Sequence, residues 1–152
     1  MGPEPSLESL FVWGLPQFDL LPLGHLVKLQ NLQLSGIGVG RPLAPVENVE
    51  AISNLKELKT LTIGQLQITN LNFTNGLTNL AELNLNQLPI LDISPLRALV
   101  SLKKLSFADV PVVDISPLLQ LPKLADLSIL RVPARADILK ELERRGVRIV
   151  AN

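Results

Sequence analysis

The chain has 152 residues, one domain's worth of material, with 47 % apolar residues, 3 % aromatics and no cysteine. A formal charge of zero, from 14 basic and 14 acidic residues, argues against nucleic-acid binding, which leans on many phosphate contacts from Lys and Arg. The missing cysteines exclude disulfides, thiolate nucleophiles and cysteine metal sites.

No apolar run approaches the roughly 18 residues needed to cross a bilayer, so no membrane insertion is expected. The opening MGPEPSLESL has no basic stretch followed by an apolar core. No secretory signal is visible there, and a cytoplasmic location is the expectation. An upstream segment stays open.

Leucine recurs at Leu7, Leu29, Leu58, Leu80, Leu102 and Leu124, in steps of 22, 29, 22, 22 and 22 residues. A fixed period in this range is the signature of a stacked solenoid. The predicted organisation is a loose tail over 1–6, six repeats over 7–134 with a loop insertion at about 38–48, and a capping helix and strand over 135–152. In the first copy the apolar residues fall at unit positions 1, 4, 6, 9, 12, 14, 17 and 20. The copy opening at Leu102 places its core at the same positions: Leu102, Leu105, Phe107, Val110, Val113, Ile115, Leu118 and Leu121.

The unit has two halves. Positions 4 and 6, as in Leu83 and Leu85, carry the period-2 alternation of a short strand with one buried face, so positions 2, 3 and 5 point to solvent. Ser94-Pro95-Leu96 resembles a helix start with Ser as N-cap and Pro at the first helical position. The run is short, so a turn or two of 3₁₀ or α-helix is predicted. Asp92 and Asp114 are placed to accept backbone N–H groups about two residues on. One unit cannot bury enough apolar surface to fold alone, so the copies must stack.

In the second copy, RPLAPVENVEA interrupts the pattern before it resumes at Ile52 and Leu55, and Pro42 and Pro45 mark a surface loop. The third copy lacks the Ser-Pro pair, so an irregular turn is predicted there. After Val132 the pattern changes: ILKELERRG reads as a helix stopped at Gly146, and VRIV (147–150) as a final strand. These close one end of the solenoid. No such cap precedes Leu7, so the first strand is expected to pair with a second copy, as a homodimer, or with an upstream segment.

This pattern resembles the 22-residue class of bacterial leucine-rich repeats found in internalins, whose unit runs Leu-x-x-Leu-x-Leu-x-x-Asn-x-Ile-x-Asp-Ile-x-Pro-Leu-x-x-Leu-x-x. Ile90, Asp92, Ile93, Pro95, Leu96 and Leu99 match one copy, and Val112, Asp114, Ile115, Pro117, Leu118 and Leu121 the next. The family's Asn at position 9 is replaced throughout, by Leu15, Ile37, Leu66, Leu88, Val110 and Val132, so apolar packing is expected to hold these loops. The resemblance implies an α/β solenoid: a right-handed horseshoe with a parallel concave β-sheet and short 3₁₀ or α segments on the convex side. It also implies a non-catalytic module that presents the inner face of the curve to a protein partner.

The candidate partner-binding residues are therefore the outward residues of the strands: Phe11, Trp13, Gln30, Asn31, Gln33, Lys59, Thr62, Glu82, Asn84, Asn86, Lys103, Lys104, Ser106, Asp126 and Ser128. Equal positions form lateral rows. Glu82, Lys104 and Asp126 alternate in sign along one row and read as a charge ladder, a partner contact, or both. Asp109 and Arg131 pair in the same way. Phe11 and Trp13 read equally as a binding hot spot or as residues covered by the tail.

Other motifs carry little. Gly36-Ile37-Gly38-Val39-Gly40 imitates a phosphate loop but leads into Arg41-Pro42-Leu43 and lacks the Lys-Ser/Thr ending. His25 is a lone histidine with no acid or nucleophile beside it, and Asn72-Phe73-Thr74 fits a glycosylation acceptor in a chain with no visible signal. No catalytic residue, metal site or cofactor is expected. The competing readings are the recognition part of a larger effector or enzyme, with its catalytic part outside this chain, and a self-assembly module acting through the uncapped end.

Overall fold

The computed structural model describes residues 6–38 and 40–152. Residues 1–5 of the expected tail and Val39 of the glycine-rich stretch lie outside the described residues. The strands are β1 (Ser9–Trp13), β2 (Phe18–Asp19), β3 (Asn31–Ser35), β4 (Val46–Glu47), β5 (Thr60–Gly64), β6 (Glu82–Asn86), β7 (Lys104–Ala108), β8 (Asp126–Leu130) and β9 (Arg148–Ala151). One α-helix, α1, spans Ala136–Arg144, and 3₁₀ turns span Leu21–His25, Val49–Asn54, Asn72–Thr74, Ser94–Ala98 and Ser116–Gln120. Seven strands form one parallel sheet in the order β1-β3-β5-β6-β7-β8-β9, and β2 pairs with β4 beside it. The molecule is a leucine-rich-repeat solenoid, with the long sheet on its concave side and the 3₁₀ turns on its convex side.

Register follows from the repeat. Leu32, Leu61, Leu83, Leu105 and Leu127 stand opposite one another from β3 to β8, each 2 % exposed or less. Every strand presents the same pleat to the interior, and a fully buried leucine contributes about 1.5–3 kcal/mol. The core runs without a break through the stack.

The descending half buries position 11 rather than position 12. Ile90 and Val112 are buried, whereas Leu91 and Val113 are 71 % and 55 % exposed. Beyond the left-handed residues Gln87 and Asp109 the side chains alternate, inward at Leu88 and Ile90, outward at Leu91, and the same holds after Val110. The first copy differs, with Phe18 buried at position 12 in β2. Apolar packing at position 9 holds the central loops through Leu66, Leu88 and Val110, but Leu15 and Ile37 are exposed. Ala44 stands in for Ile37: it bridges in parallel to Leu66, its N–H donates to the Gln65 carbonyl at 3.1 Å, and it is buried. Ala44 lies seven positions after Ile37, which matches the one repeat step of 29 residues where the others are 22.

The acidic residues at position 13 fix the turns. Asp92 accepts the Ser94 N–H at 2.8 Å, Asp114 that of Ser116 at 2.9 Å, and Asp19 that of Leu21 at 3.0 Å. This is the correction to the expected serine cap: Ser94 makes no capping bond, and its hydroxyl turns back to Asp92 at 2.9 Å. In the irregular third copy Asn70 takes the same role toward Asn72 at 3.1 Å. There Thr74 occupies a core position, its hydroxyl donating to the Leu71 carbonyl at 2.7 Å while Phe73 fills the interior.

At the far end α1 buries Leu142 against the last 3₁₀ turn, and β9 extends the sheet beside β8. At the other end β1 pairs, among the described residues, only with β3, and Leu10 and Val12 are half-buried.

Candidate functional site

The concave face is built from four lateral rows, because equal unit positions on successive strands lie about 4.8 Å apart. The first row reads Ser9, Asn31, Thr60, Glu82, Lys104, Asp126, Arg148, and the second Phe11, Gln33, Thr62, Asn84, Ser106, Ser128, Val150. The third runs from Trp13 through Ser35, Gly64, Asn86 and Ala108 to Leu130. The rows are stitched sideways: Asn31 Nδ2 donates to Ser9 Oγ at 3.0 Å and Asn84 Nδ2 to Thr62 Oγ1 at 3.2 Å.

Neither rung of the expected ladder, Glu82–Lys104 or Lys104–Asp126, forms; Asp126 pairs instead with Arg148. Arg148 Nε donates to Asp126 Oδ1 at 2.6 Å. Among the described residues, neither Glu82 nor Lys104 is in an ion pair. Glu82 instead accepts from Asn84 at 3.1 Å. Arg148 comes from the capping strand, where repeat numbering no longer points.

The fourth row lies where the strands end. Gln65, Gln87, Asp109 and Arg131 all adopt left-handed backbone, with φ between 50° and 58°, and turn the chain off the sheet. Gln65 donates to Gln87 at 2.9 Å, and Arg131 binds Asp109 with two nitrogens. Hydrogen bonds from the Arg131 guanidinium, with a smaller one from Gln87, hold the Asp109 carboxyl below its ordinary range. On α1, hydrogen bonds from Arg144 and Arg145 bring Glu141 from 4.5 to about 2. Both are exposed structural pairs.

Two hollows gather the expected residues. A concavity of about 530 Å³ on β6–β9 is lined by Glu82, Asn84, Lys104, Ser106, Asp126 and Ser128, all expected, together with Arg148 and Val150, which were not. A trough of about 440 Å³ runs beside the strand starts. Of the candidate partner-binding residues, Gln30, Lys59 and Lys103 line it, and Asn79, Ser101 and Lys123 join them from the preceding loops. Asn31, Gln33, Thr62 and Asn86 lie on the concave face outside both hollows. Phe11 and Trp13, 56 % and 70 % exposed, sit on the edge strand β1.

His25 is exposed beside a convex hollow of about 460 Å³, with Asn48 and Asn54 among its neighbours there. No group of three or more potential metal ligands occurs among the described residues, and no helix there is long and apolar enough to cross a membrane. The concave face offers amides, hydroxyls and separated charges, which is the chemistry of binding.

No protein-family model matches the chain, and no curated protein matches it. Solved structures do. A crystal structure of an internalin, InlF, from Listeria monocytogenes is similar at 26 % identity over 96 % of this chain and 48 % of that one, with a TM-score of 0.70. Internalin C2 from the same organism shares 31 % identity over 89 % of this chain and 66 % of its own, with a TM-score of 0.57. A leucine-rich-repeat protein from Leptospira interrogans shares the fold at 18 % identity, covering 84 % of this chain and 32 % of its own, with a TM-score of 0.62. The chain therefore spans between about a third and two thirds of the length of these proteins.

Proposed function

From a bacterial leucine-rich-repeat solenoid of the internalin type, which this chain is, we propose a non-catalytic module that recognises a protein partner on its concave face. The observation that carries this reading is the concavity on β6–β9. It gathers Glu82, Asn84, Lys104, Ser106, Asp126 and Ser128 from three adjacent strands onto one rigid sheet. Side chains on a sheet whose other face is a continuous leucine core are held in place before a partner arrives, which lowers the entropic cost of binding. Lys104 keeps its charge unpaired among the described residues, so it is free to answer a partner's carboxylate.

The test is capture by the immobilised chain from a bacterial lysate, compared with the variant Asn84→Arg/Ser106→Arg/Ser128→Arg. A protein retained by the chain and lost with the variant is the expected result. An identical set retained by both, with the variant folded, contradicts the proposal.

A second reading, association of two copies through the edge of β1 that faces away from β3, is favoured by the exposure of Phe11 and Trp13 on that strand.

A further inference from the structure

We infer that the partner is engaged through an acidic, extended segment that lies in the trough beside the strand starts; this rests on protein recognition as the function. The trough crosses the stack from the coil of Gln30 to that of Lys123. Its cations are Lys59 and Lys103, two coils and so about 10 Å apart, and Lys123 at the end of the coil that Leu102 opens. Between them the floor is low, formed by Ala81 and Ser101, while Asn79 is held by donating to the Lys56 carbonyl at 2.9 Å. Its one acid, Glu57, is already paired with Lys28 at 2.6 Å.

Charge argues for the occupant. Ion pairs among the described residues engage Lys28, Arg131, Arg135, Arg144, Arg145 and Arg148. Lys103 and Lys123 are exposed and in none of them. Lys59 is held only by Gln30, its Nζ donating to Oε1 at 2.8 Å, a neutral partner that a carboxylate can replace. Of the eight Lys and Arg residues in none of these pairs, three line the trough, against one acid that is already engaged. Such complementarity sets which partners approach and how fast.

A nucleic acid fits less well. Single strands are gripped by aromatic platforms beside the cations, and the exposed aromatics Phe11 and Trp13 lie on β1, outside the trough. Carboxylates spaced along an extended chain need only the lysines and the small-residue floor.

The test is fluorescence anisotropy with a labelled peptide of alternating glutamate and serine, titrated with the chain, with Lys103→Glu/Lys123→Glu, and with Lys140→Glu as the control cation on α1. Saturable binding is expected that falls as salt rises, weakens about tenfold in the double variant (about 1.4 kcal/mol) and is unchanged in Lys140→Glu. No binding, equal loss in both variants, or no loss in the double variant overturns the inference. So does tighter binding of an oligothymidylate of equal charge. Thermal unfolding of the double variant should match that of the unchanged chain, since both lysines are exposed. The peptide reads lysines outside the Asn84–Ser106–Ser128 row, so its failure leaves the capture experiment standing, and the reverse holds too.

Discussion

In five of the six copies, all but that of Gly36, position 8 carries a left-handed backbone that ordinary side chains resist. Gly14 adopts it freely at φ 75°, but Gln65, Gln87, Asp109 and Arg131 adopt it against a cost of about 1–2 kcal/mol each. The stack imposes it, because the N–H of Gln87 donates to the Ala108 carbonyl at 2.8 Å and that of Asp109 to Leu130 at 3.0 Å, one coil to the next. A β-branched residue suffers most there. Gln87→Val is expected to lower unfolding stability by about 2 kcal/mol, while Gln87→Gly stays within about 0.5 kcal/mol because relief of the backbone offsets the lost part-buried hydrogen bond to Gln65. Denaturant unfolding of the two variants checks this, and equal stabilities would contradict it. No hydropathy pattern announces this row, since left-handed backbone is ordinarily read from glycine or asparagine, and glutamine, aspartate and arginine stand there.

At the scale of elements, the strands were legible because burial repeats with period 2 at Leu83 and Leu85 and returns every 22 residues. The descending segments were not, because Ile90-Leu91 and Val112-Val113 are apolar at both positions, so hydropathy alone cannot phase them. The same limit applies to the concave face. Outward positions 2, 3 and 5 placed six residues in the β6–β9 hollow, but Lys123 belongs to a loop and Arg148 to the capping strand, beyond that rule.

Among the described residues the two end strands, β1 and β9, each pair on one side only; α1 packs beside β9, whereas β1 carries the exposed Phe11 and Trp13. Two copies joined there would place the same strand against itself about a two-fold axis. Sedimentation velocity is expected to show a dimer that grows with concentration and is lost in Trp13→Lys. A monomer at every concentration would contradict pairing through this edge.

At the scale of the whole molecule, stability and recognition come from the same stacking. Each coil buries its leucines against the next, so the outward side chains of successive strands are held in rows at fixed spacing. The most direct measurement is covalent side-chain labelling read by mass spectrometry, on the free chain and on the chain with its captured protein bound. Modification of Lys104 and Glu82 on the concave face should fall on binding, while Lys140 on α1 and Glu50 on a convex 3₁₀ turn should label as before. Protection of Glu50 and Lys140 with Lys104 and Glu82 unchanged would contradict recognition through the concave sheet.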